Sequence, residues 1–355
     1  MTRTTRAPRQ AAIVGAGMAG IACARTLRQA GWQVTVFEQE GGVGGRMASV
    51  DTPFGSFDTG AQYFTVRDAR FERALATAPS AHRPWSASTV RVLDAQGRIA
   101  APGLPMREAH WVATPGMDAL LRAWAAPLAE AGQLQCETRV TRIERDALAP
   151  ARWQLRTRGA RDTQRVYSGF DTVVLTLPAP QARALLDASQ QGAALAHRAA
   201  GISVAPCWTL IAAFPQAMQP AMSTLGPQWN VARSTHHRIA WLARESSKPG
   251  RSRIERWTVQ ASPAWSQEHL NDTPARVQAK LLKAFGEVTG IRAEPALAEV
   301  RCWRHAQTLQ PLGQPFAWDA AAGLGLAGDW CLGHRVEDAF VSGLELALAM
   351  AGAQA

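Results

Sequence analysis

Residues 9–38 constrain the fold most, because they combine a glycine-rich turn with an apolar segment on each side. Residues 11–14 predict a strand, the alanine- and leucine-rich segment up to Ala30 predicts a helix that Gly31 ends, and QVTVF predicts a second strand. The order is strand, helix, strand. The segment therefore predicts a Rossmann-like βαβ unit at the start of an α/β fold.

The turn GAGMAG places Gly15, Gly17 and Gly20 in a GxGxxG spacing between the first strand and the helix. In this arrangement the first glycine permits the tight turn, the second lets a pyrophosphate approach the backbone, and the third lets the helix pack on the strand. Glu38 ends the second strand 18 residues after Gly20, where a carboxylate can accept hydrogen bonds from an adenosine ribose. The pattern predicts FAD or NAD rather than NADP.

A second glycine-rich stretch, GGVGGRMASV, follows directly at residues 41–50. FAD is longer than NAD and has to be held along its ribityl chain and flavin ring. In this interpretation Gly44 and Gly45 let the backbone approach the cofactor, and Arg46 offers a forked cation to its oxygens. The alternative is an ordinary loop with a solvated arginine, and the loop alone favours neither.

The remaining sequence alternates between helical and strand-like segments. Thr114–Pro115 predicts the start of a helix to Gly132 that Pro127 shortens or kinks, and TPARVQAKLLKAFGEVTG predicts an amphipathic helix. A last helix is predicted with Val341, Leu344 and Leu348 on its apolar face. Strands are predicted in QLQCETRVTRIE, ARWQLRTR and DTVVLTLP, and near residues 206–214 and 254–260.

Composition excludes several classes of protein. The five cysteines include no CxxC pair, which argues against a zinc site or a disulfide framework, and no run approaches the ~18 apolar residues of a membrane span. The net charge of +10 comes from arginines scattered along the chain, so nucleic-acid binding is not indicated. We therefore expect a cytoplasmic protein that binds no metal, membrane or nucleic acid.

Several motifs together resemble the flavin-containing amine-oxidase superfamily, and within it the bacterial renalase-like proteins. The resemblance covers most of the chain in collinear order and is looser over residues 180–300. It is carried by GAGMAG, FEQ, GGVGGRMAS, FDTGAQYFT, WVATPGMDALLRA, VVLTLPAPQA, WLARESSKPGR and LAGDWCLGHRVEDAFVSGLE.

This resemblance implies an α/β fold with a Rossmann-like FAD-binding domain of the amine-oxidase type. An inserted α+β substrate domain with a mixed β-sheet is expected to cover the flavin. The expected FAD-binding domain comprises residues 1–66, 105–178 and 298–355, and the expected substrate domain comprises residues 67–104 and 179–297.

The resemblance also implies which residues bind non-covalent FAD. Asp329 is expected to accept a hydrogen bond from a ribityl hydroxyl, Val140 to contact the adenine through its backbone, and the helix starting near Glu337 to direct its N-terminus at the flavin. The full predicted set is Gly15, Gly17, Ala19, Gly20, Glu38, Gly45, Arg46, Met47, Gly60, Ala61, Gln62, Val140, Gly328, Asp329, Val336, Glu337 and Ala339.

Two residues depart from the family pattern, which commonly has glycines at the positions of His334 and Asp338. A carboxylate in the first turn of the last helix would oppose a reduced, anionic flavin unless it points to solvent or pairs with Arg335. If both changes disabled the flavin site, the chain would be a FAD-binding protein without turnover.

The resemblance leaves two oxidations to compare. Amine oxidases of the superfamily typically hold a water against flavin N5 with a lysine and line the site with two tyrosines, whereas this chain has only three lysines and two tyrosines, Tyr63 and Tyr167. Tryptophans such as Trp241 and Trp303 could supply aromatic walls instead. Lys248 lies in an SKPG turn, so we expect that the amine-oxidase devices are hard to build here.

Renalase-like enzymes oxidise 2- and 6-dihydronicotinamide isomers of NAD(P)H and pass the electrons to O2, which gives H2O2. We therefore expect a FAD-dependent oxidoreductase with a dihydronicotinamide dinucleotide and O2 as partners. The alternative is an amine oxidase or desaturase acting on a small apolar substrate. Candidate catalytic residues, which would position the substrate, are Gln62, Tyr63, Arg304 and His305.

Overall fold

The predicted βαβ unit is present in a computed structural model, which describes residues 8–86, 90–101, 108–218 and 229–352. It consists of β1 (Gln10–Val14), α1 (Met18–Gln29) and β2 (Gln33–Phe37). The strands pair in parallel with Ala12 opposite Thr35, so both carry their carboxyl ends to the same edge. This is the geometry that the glycine spacing requires.

The other strands of the described residues range from two to fourteen residues in length, and together with β1 and β2 they form five sheets. They are β3 (Ser49–Thr52), β4 (Gly55–Asp58), β5 (His82–Pro84), β6 (Arg91–Leu93), β7 (Ile99–Ala101), β8 (Trp111–Ala113), β9 (Leu134–Gln135), β10 (Arg139–Arg145), β11 (Trp153–Arg158), β12 (Gln164–Phe170), β13 (Thr172–Leu175), β14 (Ser203–Phe214), β15 (Val231–Ser234), β16 (Ile239–Arg244), β17 (Glu255–Ala261), β18 (Leu297–Gln310), β19 (Ala317–Asp319) and β20 (Leu324–Leu326).

Seven further α-helices lie between or after these strands in the described part of the chain. They are α2 (Ala69–Leu75), α3 (Ala119–Glu130), α4 (Ala179–Ser189), α5 (Ala193–Ala200), α6 (Pro263–Glu268), α7 (Pro274–Thr289) and α8 (Val336–Gly352).

The chain forms two compact units, each built from separated segments. Unit 1 comprises Met1–Gly45, Leu121–Ser203 and Thr308–Ala355, and unit 2 comprises Arg46–Leu120 and Val204–Gln307. The expected domain limits had placed residues 46–66, 105–120 and 298–307 with the first unit and residues 179–203 with the second. The assignment of cofactor binding and substrate binding to separate domains stays a prediction.

Unit 1 contains a six-stranded sheet in the order β19-β20-β13-β1-β2-β9. Its strands are parallel except for β19, which pairs antiparallel with β20. A three-stranded antiparallel sheet, β10-β11-β12, belongs to the same unit, and its Ile143, Trp153 and Leu155 share a buried core with β1 and β13. The doubly wound order predicts a ligand site at the carboxyl ends of β1 and β2.

Unit 2 contains a seven-stranded mixed sheet in the order β18-β14-β17-β16-β15-β6-β7. The β15–β6 pair is parallel, while β14, β17, β16 and β15 pair antiparallel. The amphipathic helix α7 packs on this sheet through Val277, Leu281 and Phe285. The Rossmann-like domain combined with a mixed sheet confirms the predicted fold class.

Two helix predictions need correction. Helix α3 begins at Ala119 rather than at Pro115, and it continues through Pro127 to Glu130. In α8 the predicted apolar face is wrong, because Leu348 is 45% exposed whereas Phe340, Leu346 and Met350 are buried.

Gly343 explains why α8 buries a different face from the one predicted. A Cβ on this glycine would lie 2.1 Å from the carbonyl oxygen of Ala19, so α8 meets α1 backbone to backbone at this point. Phe340, Leu346 and Ala347 lie three or four residues from Gly343 and therefore share its face.

Candidate cofactor and active site

The first glycine loop has three glycines with three different environments. Gly15 has φ +106°, a conformation that favours glycine, and a Cβ on Gly20 would lie 2.0 Å from the Gly15 carbonyl oxygen. In contrast, a Cβ on Gly17 would meet no atom within 4 Å. Gly15 and Gly20 are therefore required by the fold itself, while Gly17 leaves space at the N-terminus of α1 for a ligand group.

The second glycine loop contacts the first one within unit 1. The backbone N–H of Gly44 donates to the carbonyl of Ala16 at 3.1 Å. Gly45 has φ +54°, and a Cβ there would lie 3.3 Å from the Cα of Gly17. The two loops thus form one continuous backbone surface, with the open space at Gly17 beside it.

Glu38 is buried and holds the turn between β1 and α1. Its Oε2 accepts from the Ala16 N–H at 2.8 Å, and its Oε1 accepts from the Glu40 N–H at 2.9 Å. Burial raises the pKa of Glu38, although the hydrogen bonds from Glu40 and Ala16 oppose the rise. A carboxylate has about four acceptor sites, so two remain for ribose hydroxyls.

The remaining nucleotide-side residues also lie in unit 1. The Glu38 carbonyl accepts from the Thr138 N–H at 2.7 Å, which places the segment leading to Val140 along the end of β2. Val140 is a buried residue of β10, and Ala19 is a buried residue in the first turn of α1. Their predicted contacts with FAD stay predictions.

The loop that precedes α8 is held by hydrogen bonds within residues 328–333 and to α8. The Gly328 N–H donates to Ser342 Oγ at 2.9 Å, and the Asp329 carbonyl accepts from the N–H groups of Leu332 and Gly333. Asp329 and Glu337 are both buried, and the predicted contacts Val336 and Ala339 lie in the first turn of the helix.

Asp338 is one of the two departures from the family pattern, and it caps its own helix. Its Oδ2 accepts from the backbone N–H of Arg335 at 2.9 Å. The carboxylate thus satisfies one N–H group at the helix start, and its negative charge stays at that end of the helix. The other departure, His334, is exposed.

In unit 2 the predicted flavin-side segments lie next to each other. The Ala61 N–H donates to the Arg46 carbonyl at 2.8 Å, and a Cβ on Gly60 would lie 2.0 Å from the same oxygen. The Arg46 guanidinium donates to the Ala306 carbonyl at 3.4 Å, and Met47 is buried. The structure therefore brings Arg46, Met47, Gly60 and Ala61 together, and their contacts with FAD stay predictions.

Gln62 is buried, whereas an amide that binds a substrate has to be accessible to it. Its Nε2 donates to the carbonyl oxygens of Asp58 and Gly60, and its Oε1 accepts from Lys248 Nζ at 3.1 Å. The side chain is 4% exposed. This differs from the prediction of amide hydrogen bonds to a substrate, because both polar atoms already have partners inside unit 2.

Tyr63 belongs to a stacked aromatic group that we call the aromatic wall: Tyr63, His110 and Trp241. The ring centroids lie 3.7 Å apart between Tyr63 and His110 and 5.7 Å apart between Tyr63 and Trp241. Burial, followed by the charge of Arg233, lowers the pKa of His110 to about 4. Among the described residues, His110 Nδ1 and Trp241 Nε1 are buried without a hydrogen-bond partner.

Arg304 and His305 lie on β18. Arg304 is exposed, and His305 is half-buried with an Nδ1 atom that has no partner among the described atoms. Burial lowers the pKa of His305, and the charges of Arg46 and Arg304 lower it further. The charge of Arg46 therefore acts on His305. On the same strand, the Trp303 indole N–H donates to the Thr59 carbonyl at 2.7 Å.

Sequence reasoning missed the burial of Lys248. Its ammonium group is fully buried and donates to Asp58 Oδ2 and Glu245 Oε1, each at 2.8 Å, and to Gln62 at 3.1 Å. Arg251 Nη2 donates to the same Asp58 oxygen at 2.7 Å. The available signal was Asp58 in FDTGAQ, a carboxylate beside the predicted flavin segment in a chain with few lysines.

The residues that the structure describes contain no group of three or more His, Cys, Asp or Glu side chains that could hold a metal ion. No described helix is both long enough and apolar enough to cross a membrane.

Comparison with known families identifies the class of protein. Residues 13–78 match the NAD(P)-binding Rossmann-like domain, and residues 98–351 match the flavin-containing amine oxidoreductase family. The second match covers well over half of the sequence. The chain belongs to the flavin-containing amine oxidoreductase family, and it is a FAD-dependent oxidoreductase.

Solved structures show the same fold at low sequence identity. A protein assigned as a protoporphyrinogen oxidase from Exiguobacterium sp. 255-15 has a TM-score of 0.75 at 13% identity, with 98% of this chain and 99% of that chain covered. Cyclohexylamine oxidase from Brevibacterium oxydans IH-35A has a TM-score of 0.70 at 13% identity, with 98% and 99% covered. A triple mutant of putrescine oxidase has a TM-score of 0.69 at 11% identity, with the same coverage.

The residues present in unit 1 fit the nucleotide part of FAD, the family's cofactor. The space at Gly17, the N-terminus of α1 without an acidic residue in its first turn, and the carboxylate of Glu38 supply the expected contacts for pyrophosphate and ribose. Phosphate binding by the first glycine loop stays a prediction, and the second loop lines the same surface.

Proposed function

We propose that the protein oxidises misplaced-hydride isomers of NAD(P)H, the 2- and 6-dihydronicotinamide forms, to NAD(P)+. When bound, FAD would supply the hydride acceptor, and O2 would take up the two electrons and the proton of the hydride together with a proton from solvent to give H2O2. A dihydropyridine regains aromaticity when it loses hydride, so no side chain has to remove a proton. The protein's part is to hold the ring in place.

The observation that carries this proposal is that Lys248, the lysine that contacts the predicted flavin segment through Gln62, has no N–H bond to spare. Lys248 has all three N–H bonds directed at internal acceptors, Lys280 lies 3.4 Å from Asp272 Oδ2, and Lys283 lies 4.0 Å from Glu287 Oε1. A lysine that holds a water against the flavin needs a donor to spare. The described chain therefore favours a reaction that does without this device.

The aromatic wall gives a second reason. The nicotinamide ring becomes a cation as it loses hydride, and aromatic faces attract cations, as the Arg233 guanidinium 5.9 Å from the centre of the Trp241 ring illustrates. The lowered pKa of His110 keeps its ring neutral above about pH 4, so His110 adds no repulsion. We place the nicotinamide ring against this wall.

Oxidation of a small apolar amine, or a desaturation, is the second candidate. The same wall of Tyr63, His110 and Trp241 could bind an apolar group by contact alone, and the family is named for amine oxidation. The shared fold does not separate the two reactions.

Anaerobic flavin reduction separates the two candidates. The purified holoprotein is mixed with borohydride-made isomers of reduced NAD and NADP, with ordinary NADH and with a set of amines, and the visible flavin absorbance is followed. We expect fast bleaching by the dihydronicotinamide isomers. Bleaching by amines alone would favour the second candidate, and bleaching by none of the compounds would leave only a FAD-binding role.

Substitutions at Tyr63 test the wall. We expect Tyr63→Leu to keep FAD but to slow flavin reduction by about tenfold, because a ring stack contributes roughly 1 kcal/mol or slightly more. Tyr63→Phe keeps the ring and should stay near the wild-type rate. Equal rates for Tyr63→Leu and the wild type would remove the wall from the site.

A further inference from the structure

Unit 2 contains a buried charge cluster, defined here as Asp58, Glu245, Lys248 and Arg251. All four side chains are 0% exposed. Lys248 bridges the two carboxylates at 2.8 Å each, and Arg251 lies 2.7 Å from Asp58. Two cations therefore face two anions within this cluster, and the buried guanidinium of Arg256 adds a further positive charge beside it.

Stability alone is a weak reason for such a cluster. Removing four charges from water costs several kcal/mol for each ion, and replacing a buried ionic group with apolar side chains is often neutral or stabilising. A buried cluster can instead fix one arrangement of the groups around it.

The cluster fixes the orientation of the Gln62 side chain. Lys248 uses two of its three N–H bonds on the carboxylates and gives the third to Gln62 Oε1 at 3.1 Å. Gln62 Nε2 faces the carbonyl oxygens of Asp58 and Gly60. If the amide were flipped, its NH2 group would face the ammonium and its oxygen would face two carbonyls, so the cation allows only one orientation.

This orientation holds the backbone of residues 60–63. Besides Gln62, the Gly60 carbonyl accepts from Gln260 Nε2 at 2.7 Å, and the Ala61 N–H donates to Arg46 at 2.8 Å. Tyr63 follows directly and stacks on His110 at 3.7 Å. Every residue of the segment thus has a fixed contact.

Asp58 connects the cluster to two other parts of unit 2. Its Oδ1 accepts from Ser49 Oγ at 2.7 Å and from the Met117 N–H at 2.9 Å. Its own N–H donates to Glu245 Oε1 at 3.3 Å. The cluster is therefore anchored by the β3–β4 hairpin and by the segment that precedes α3, and it does not depend on Gln62 for its position.

We propose that Lys248 is a positioning residue that acts through Gln62 to hold residues 60–63 in the conformation that binds the flavin. The proposal rests on FAD as the cofactor and on the predicted contact of residues 60–62 with it. It does not depend on which compound is oxidised, because FAD binding can be measured without a substrate. A failure of the proposed function would leave it intact.

The test uses variants that keep the charges balanced. Lys248→Met combined with Glu245→Gln removes one buried cation and one buried anion, and it leaves Asp58 paired with Arg251. Gln62→Met removes the amide and leaves all four charges in place. Lys280→Met is the matched control, since Lys280 is an ion-paired lysine on α7 outside the cluster.

The readouts are the Kd of FAD for the apoprotein and the thermal unfolding of the apoprotein. We expect the charge-balanced double variant and Gln62→Met each to raise the Kd by about tenfold, which corresponds to one lost hydrogen bond to a charged group. The triple variant should raise it no further, because both changes remove the same interaction. Lys280→Met should bind FAD like the wild type.

Two results would overturn the proposal. The first is a wild-type Kd for Gln62→Met, which decides the matter even if the double variant does not fold. The second is a Kd for the triple variant that equals the two separate increases multiplied together. A lysine with only a structural role would act independently of Gln62 and give this result.

Discussion

Gly17 and Gly20 belong to the same motif, yet we expect their replacement by alanine to have opposite effects. Gly17 has φ −78° and ψ −173°, which alanine adopts readily, and a Cβ there meets no atom within 4 Å. Gly17→Ala should therefore leave the apoprotein as stable as the wild type, or stabilise it by about 0.4–1 kcal/mol through the unfolded state. Gly20→Ala places a Cβ 2.0 Å from the Gly15 carbonyl oxygen and should destabilise the apoprotein by roughly 1–3 kcal/mol.

The expected effect of Gly17→Ala on FAD binding follows from the open space at this residue. A methyl group on Gly17 would occupy the position from which a pyrophosphate reaches the N–H groups of α1, and each hydrogen bond to a charged group contributes about 1.5–3 kcal/mol. Losing one such bond corresponds to a Kd about 10 to 100 times higher. Gly17, which the fold does not need, is therefore the glycine whose replacement tests FAD binding.

The assay is a titration of apoprotein with FAD, followed by quenching of flavin fluorescence, next to thermal unfolding without FAD. Gly352→Ala is a control, because this glycine is also open within 4 Å and lies at the end of α8. A wild-type Kd for Gly17→Ala would refute the assignment of the open space to the pyrophosphate. A stable Gly20→Ala apoprotein would refute the packing argument.

Four further outcomes are expected. Arg46→Ala should lower FAD retention on dialysis, and full flavin occupancy afterwards would refute its predicted contact with the cofactor. The pKa of His110 is lowered from 6.5 to about 4, so the unfolded chain binds more protons than the folded one in this range. The free energy of unfolding should therefore fall by up to about 3 kcal/mol as the pH drops from 6.5 to 4. In denaturant unfolding, His110→Phe should flatten this part of the pH profile. Gly343→Val should destabilise the protein by several kcal/mol in thermal or denaturant unfolding, since even a Cβ would lie 2.1 Å from the Ala19 carbonyl oxygen, and an unchanged transition would contradict the close approach of α8 and α1. Asp338→Ala should cost about 1 kcal/mol by the same measurement, because it removes the acceptor for the Arg335 N–H, whereas Asp338→Asn should recover most of the loss.

The first unit was predictable where the sequence carries a local physical requirement. The glycines at 15, 17 and 20 have spacing that only one turn geometry explains, and β1, α1 and β2 lie where the pattern placed them. Helix α7 was equally clear, since Val277, Leu281 and Phe285 form one apolar face and Gly290 ends the helix.

Other features depend on contacts that the sequence does not display. The buried face of α8 is decided by the approach of Gly343 to Ala19, two residues far apart in the chain. The burial of Lys248 depends on Asp58, 190 residues away, as well as on the neighbouring Glu245, because a lysine is almost never fully buried unless its charge is paired. Periodicity and turn chemistry describe neighbours in sequence and miss both.

We infer that the flavin is reduced by a dihydronicotinamide isomer without a lysine that holds a water against it. The most direct measurement is the rate of anaerobic flavin bleaching in a single turnover, with the 2- and 6-dihydro isomers of NAD(P)H compared with ordinary NADH and with amines at the same concentration. We expect rapid bleaching by at least one isomer, with stoichiometric formation of NAD(P)+, and slow or no bleaching by NADH and amines. Bleaching by an amine that outpaces every isomer would contradict it.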